Sequence, residues 1–185
     1  MAESSKTIAV VVGSIRKESI NKKLALALEK MLPAGYAFKH IRIDDLPLYN
    51  QDTEQNPGEA VTRLREEIKA CAGVIFVTPE YNRSYPGVLK NAIDHASRPW
   101  GKSVWAGKPA GVIGLAGGAI GTALAQQHLR NVLTYLDMPT LNQPEAYLQA
   151  KEGFFTADGG IGEASREFAE KWLAAYLKWL GRCAA

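Results

Sequence analysis

Three short apolar runs constrain this chain more than anything else in it: residues 7–12, 73–78 and 110–115. None alternates apolar with polar residues, and each has the length of a strand rather than of a buried helix. Each therefore reads as a strand covered on both faces, which only helices packed on both sides of a sheet provide. Helical spacing follows every run. Ile20, Leu24, Leu28 and Met31 recur after the first, Val88, Ala92, Ile93 and Ala96 after the second, and Ala125, Leu129, Val132 and Leu136 after the third. Between the first two runs lies a more polar strand, residues 38–43, whose Lys39, His40 and Arg42 place it near an edge. A helix marked by Val61, Leu64 and Ile68 follows it, started by Pro57-Gly58-Glu59. A short fifth strand is expected between Pro139 and Leu148, interrupted by Asn142-Gln143-Pro144. The last helix is predicted to bury Ile161, Ala164, Phe168, Trp172, Ala175 and Trp179 on one face.

Five strands alternating with five helices demand a mostly parallel sheet with helices on both faces. The predicted class is α/β, a flavodoxin-like three-layer sandwich with a five-stranded parallel sheet in the order 2-1-3-4-5. No composition break or repeat divides the chain, so residues 1–185 read as a single domain. The switch point of that order lies between the first and third strands, and ligands of open α/β sheets bind there, beyond the carboxyl ends of the strands.

Charge and cysteine usage narrow the partners. A net charge of +3 without long runs of like charge argues against nucleic acid or a membrane as a partner, yet suits a small anionic ligand. The apolar run behind the polar N-terminus is too short for a signal core or a membrane span, and Cys71 and Cys183 form no Cys-x-x-Cys motif. A cytoplasmic location with two reduced, structural thiols is the expectation. Several tempting motifs fail. Gly101-Lys102-Ser103 lacks the upstream glycine and preceding strand of a phosphate-binding P-loop. Ala116-Gly117-Gly118-Ala119-Ile120-Gly121 lacks the first glycine of a dinucleotide fingerprint. His40, His95 and His128 show no metal-ligand spacing, so no metal site is expected.

Two unusual loops flank the predicted switch point. The first, Gly13-Ser14-Ile15-Arg16-Lys17-Glu18-Ser19-Ile20-Asn21, leads from a strand into a helix. It combines a turn-permitting glycine, short hydrogen-bonding side chains, a guanidinium fork and the positive end of a helix dipole, a set suited to a phosphate. Helix capping by Ser19, with Arg16 and Lys17 solvated, explains the same residues equally well. The second loop, Pro79-Glu80-Tyr81-Asn82-Arg83-Ser84-Tyr85-Pro86-Gly87, offers an aromatic ring and polar backbone for a flat ligand.

Taken together, Gly13-Ser14-x-Arg16-x-x-Ser19-x-Asn21 and Pro79-Glu80-Tyr81-Asn82-x-Ser84-x-Pro86-Gly87-x-Leu89-Lys90-Asn91-Ala92-Ile93-Asp94 resemble the NADPH-dependent FMN reductase family, and within it the quinone and chromate reductases. The resemblance spans nearly the whole chain. It implies non-covalently bound FMN, with NADPH or NADH as electron donor and quinones, or chromate and other metal oxyanions, as small-molecule electron acceptors. Ser14, Arg16, Ser19, Ile20 and Asn21 would lie at the phosphate end. Pro79, Glu80, Tyr81, Asn82 and Ser84 would lie at the flavin ring, with a contribution from Gly117 of the third crevice loop; Arg83 is a weaker candidate that could face the ring, the nicotinamide nucleotide or a partner subunit. No side chain is expected to react, since the chemistry would be the cofactor's. The resemblance further implies a homodimer or homotetramer, with Tyr85, Arg98, Trp100 and Trp105 as candidate interface residues. The alternative is a flavodoxin-like electron carrier without NAD(P)H activity of its own.

Overall fold

The computed structural model describes residues 5–183. Five strands, β1 (Lys6–Val12), β2 (Tyr36–Ile41), β3 (Gly73–Val77), β4 (Ala110–Ala116) and β5 (Tyr147–Gln149), alternate with five helices, α1 (Ile20–Glu29), α2 (Glu59–Lys69), α3 (Gly87–Ala96), α4 (Ala123–Tyr135) and α5 (Glu163–Cys183). The sheet runs β2-β1-β3-β4-β5 with every pair parallel, the expected flavodoxin-like order.

The pleat sorts the strand residues between two cores. Ile8, Val10, Ile75, Val77, Ile113 and Leu115 point toward α1 and α5. Their neighbours Ala9, Val11, Val74, Phe76 and Val112 point toward α2, α3 and α4. All five residues of β3 are buried, as befits a central strand, whereas β2 exposes Lys39 and His40 along the edge. The fifth strand is interrupted as expected. Thr140 bridges to Ala110, and pairing with β4 resumes only at Tyr147, opposite Gly114.

Two details depart from the sequence reading. The buried seam of α5 is Ala169, Trp172, Leu173, Tyr176 and Leu180, whereas Phe168 is 36% exposed and Ala164 lies in solvent. The helix carries apolar residues on adjoining flanks, and helical spacing alone does not choose between them. Trp105 is not at the surface at all. Its ring is fully buried against Phe76, and its indole N–H donates to the Ile93 carbonyl at 2.9 Å.

The long connection from β2 to α2 folds over α3 and contains a 3-10 turn at Gln51–Thr53. Asn91 clamps it, donating to the Pro47 carbonyl at 2.8 Å and accepting from the Tyr49 amide at 2.8 Å. Buried His95 hydrogen-bonds the same carbonyl at 2.9 Å, and the Tyr49 ring meets it edge-on.

Candidate functional site

The carboxyl ends of β1, β3 and β4 release three loops into one crevice. At its base the first two loops touch. The Gly13 amide donates to Val77 at 2.9 Å, and a Cβ on Gly13 would press within 3.1 Å of Leu89 and 3.3 Å of Thr78. Glycine therefore suits the point where the β1–α1 loop leaves the sheet, since a side chain would crowd Leu89 and Thr78.

The β1–α1 loop is a row of free donors. Among the described residues, the backbone N–H groups from Ser14 to Glu18 and those of Ile20 and Asn21 have no protein acceptor, while Lys17 and Glu18 form a turn that folds the Ser19 amide back toward Arg16. Ser14 is half-buried and Arg16 is exposed. One guanidinium nitrogen of Arg16 donates to the Glu18 carbonyl at 3.0 Å. Amides at the start of a ten-residue helix, joined by an exposed guanidinium, form an anion-binding concavity. The side chains divide their work differently from the sequence reading. Ser19 is buried and caps α1, its hydroxyl accepting from the Lys22 amide at 3.2 Å. Asn21 is 1% exposed and turns into the sheet, where its carboxamide donates to the Leu115 carbonyl at 2.8 Å and accepts from the Leu115 amide at 2.9 Å. Both polar atoms of its side chain are thus engaged by Leu115 in the interior. Ile20 is half-buried at the first turn and presents only its amide.

The β3–α3 loop forms a small two-bond ladder. Tyr81 and Ser84 exchange backbone hydrogen bonds of 2.8 and 3.0 Å around Asn82 and Arg83, whose φ angles are +51° and +65°. Two successive left-handed residues are the signature of a type I′ turn. Pro79 is buried at the root of the loop, and Tyr81 is 49% exposed at its face. Burial pushes the phenol of the neighbouring Tyr85 above its ordinary range.

Glu80 ties this loop to the third one. One carboxylate oxygen accepts from the Leu124 and Ala125 amides at 3.0 and 3.1 Å, at the start of α4. The other pairs with Arg83 at 3.0 Å. The carboxylate therefore neutralises a helix N-terminus, leaving the Glu80 amide as its polar group on the crevice side. Ser84 meets His128 of α4 at 3.1 Å, a second tie between the same elements. Neither tie was legible in the sequence, since an acid in one loop and a helix start in another share no spacing signal. Gly117 and Gly118 in the β4–α4 loop face open space, and Gly117 donates its amide to no protein group among the described residues.

The arrangement fits FMN on its own terms. One end offers free amides and a guanidinium for a phosphate, and the other offers an exposed tyrosine and unpaired amides beside an uncrowded glycine wall. A separate cavity of about 400 Å³ lies on the far side of the first loop, between α1 and β2. It shares Ser14 and Arg16, but its His40 and Arg42 already pair with Glu29 and Asp44.

The chain is similar to known proteins in both sequence and fold. A 2-hydroxy-1,4-benzoquinone reductase from Burkholderia sp is 49% identical over 174 residues, covering 94% of this chain and 95% of that protein. A quinone reductase from Pseudomonas putida is 47% identical, with 94% of each chain covered. Among solved structures, the flavoenzyme NAD(P)H:(acceptor) oxidoreductase FerB from Paracoccus denitrificans superposes with a TM-score of 0.92 at 44% identity, covering 96% of this chain and 98% of that one. A flavodoxin mutant from Pseudomonas aeruginosa shares the fold, with a TM-score of 0.56 at 20% identity over 92% of this chain and 99% of that one. The sequence model described as NADPH-dependent FMN reductase matches residues 7–153, and the chain belongs to that family.

Proposed function

We propose that this protein is an FMN-dependent NAD(P)H oxidoreductase that reduces quinones, with chromate and other metal oxyanions as further acceptors. The observation that carries the reading is the meeting, at one switch point, of an amide-rich β1–α1 loop with the aromatic turn at Tyr81 and the open Gly117 wall. Relatives bearing the quinone reductase activity in their names support the acceptor class.

When bound, FMN supplies the redox chemistry, accepting two electrons from NAD(P)H and delivering them to the acceptor. Overall, NAD(P)H, a proton and a quinone become NAD(P)⁺ and the hydroquinone. The chain's own residues position and tune. The amides of the β1–α1 loop and the Arg16 guanidinium would hold the phosphate, with Ser14 contributing its hydroxyl. Ser19 and Asn21 act behind them, the first by capping α1 and the second by anchoring its first turn to β4. Pro79 fixes the root of the second loop. Tyr81 would wall the ring and the amides of Glu80, Asn82 and Gly117 would be available to its polar groups, while Ser84 holds the turn to α4. Glu80 sets the distance between the second and third loops.

The whole chain is read as one domain. Homodimers or homotetramers are part of the proposal, supported by the exposed aromatic patch of Trp100 and Tyr135, 76% and 73% exposed, with Arg98 stacked on the Trp100 ring. A cytoplasmic location is supported by the two free cysteines. Among the described residues no helix is long and apolar enough to cross a membrane.

Steady-state kinetics with NADPH and a quinone test the reading. One crevice serving donor and acceptor in turn predicts parallel double-reciprocal lines, the ping-pong pattern. Intersecting lines would exclude the shared site. A yellow protein that does not oxidise NAD(P)H would instead be an electron carrier.

A further inference from the structure

Arg83 occupies a position that chemistry assigns to glycine. In a type I′ turn both central residues have positive φ, and asparagine followed by glycine adopts it with least strain. Here Asn82 fills the first place at +51°, but an arginine fills the second at +65°. A bulky residue held in the left-handed region is a strain whose counterpart is sought in function. The turn is not an accident of loose chain, because Tyr81 and Ser84 close it with two backbone hydrogen bonds and Ser84 is tied to His128.

The side chain is placed, not free. Its Nη1 donates to Glu80 at 3.0 Å, and Glu80 is itself 8% exposed and fixed by two amides of α4. The guanidinium is thereby held between the second and third crevice loops while the side chain stays 63% exposed. Among the described residues its Nε and Nη2 have no acceptor. Because Glu80 also neutralises the start of α4, it offsets only part of the arginine's charge. The remaining charged groups on the three loops are Arg16, Lys17 and Glu18, and Glu18 is turned away to Lys23 at 3.3 Å. Cations thus prevail at the rim.

We propose that Arg83 is a specificity residue that favours acceptors carrying a negative charge, namely ionised hydroxyquinones and sulfonated quinones, over neutral quinones of the same size. The inference rests on the flavoenzyme reading above. A planar guanidinium with two free donor nitrogens pairs with a phenolate or sulfonate oxygen and steers it toward the crevice, an effect that salt screens.

Holoprotein carrying Arg83→Gly, compared with wild type, tests it. The selectivity ratio, kcat/KM for 1,2-naphthoquinone-4-sulfonate divided by kcat/KM for 1,4-naphthoquinone, is expected to fall about tenfold, the size of a charge-assisted contact. Arg83→Lys should retain most of the ratio, and raising the salt concentration should lower it in wild type but not in the glycine variant. Calorimetric binding of the unreactive anion naphthalene-1-sulfonate should weaken in parallel, while thermal stability should not fall. An unchanged ratio, or an equal loss for both quinones, overturns the role of Arg83 and leaves the flavoenzyme reading standing. Failure of the wild-type protein to bind FMN or to oxidise NAD(P)H overturns both.

Discussion

The side chain of Asn21 shows how a residue can be essential to a site without facing the ligand. Where β3 turns away at Pro79, the edge of β4 would be left with an unpaired amide and carbonyl at Leu115. The Asn21 carboxamide stands in for the missing peptide, accepting from one and donating to the other. It thereby welds the first turn of α1 to the centre of the sheet. Asn21→Ala should cost about 1–3 kcal/mol for each buried group left unpaired, read as a lower midpoint in urea unfolding. Asn21→Asp keeps the acceptor but cannot donate to the Leu115 carbonyl, so it too should be destabilised. A midpoint unchanged in both variants would mean that the clamp carries no load. The sequence marks residues 14–21 as a set but not the direction of each side chain, because direction depends on which neighbour has an unpaired group. Ser19 illustrates the same limit, since the hydroxyl that reads as a phosphate ligand is buried and oriented by the Lys22 amide, from which it accepts. Glu80, read as a ring contact, is a strut to α4 for a reason visible only once the third loop is folded beside it.

Among the elements, the buried strands were the most legible, because a continuous apolar run has few other fates, and their ends fall within two residues of expectation. Helix faces were less so, and α5 is the clearest case. Its true seam is recognised by what receives it. Gly73 and Gly111 leave room on β3 and β4 where a Cβ would strike the Tyr176 ring or hydroxyl. Tyr176 lies fully buried, stacked 6.0 Å from Trp172, with its hydroxyl 3.4 Å from the Pro109 carbonyl. Burial pushes its phenol far above the ordinary tyrosine range, and nearby Cys71 and Cys183 push it further in the same direction. The consequence for stability has a definite sign. Below about pH 10 the phenol is neutral in both states and titration contributes nothing to the pH dependence; above it the unfolded chain ionises while the folded one keeps its proton. Stability should fall with rising pH there, by up to about 1.4 kcal/mol per pH unit from this residue. Urea midpoints measured near pH 9 and near pH 11 should show a smaller alkaline loss for Tyr176→Phe than for wild type. Equal losses would mean that the phenol is not protected. Comparing the two proteins cancels the contribution of Cys71, whose thiol is also pushed up by burial.

The whole molecule follows from one rule acting on the alternation of strands and helices. Parallel neighbours require crossovers of one hand, and that restricts five strands to very few orders. The observed order then brings the loops of β1, β3 and β4 together although they start about residues 13, 78 and 117 in the chain. Proximity of the loops was therefore legible once the order was, while the ties between them were not. The assembled crevice exists only in the folded chain, so a ligand that fills it must stabilise the fold by mass action. FMN at a hundred times its dissociation constant should add about 2.7 kcal/mol, which for a chain of this size raises Tm by roughly 5–10 °C. Riboflavin has the same ring but no phosphate. If the amides of residues 14–21 and Arg16 hold the phosphate, riboflavin at the same concentration should raise Tm far less. Differential scanning calorimetry with each ligand at equal concentration makes the comparison. Equal shifts would remove the phosphate from the β1–α1 loop, and a shift with neither would remove the flavin from the crevice.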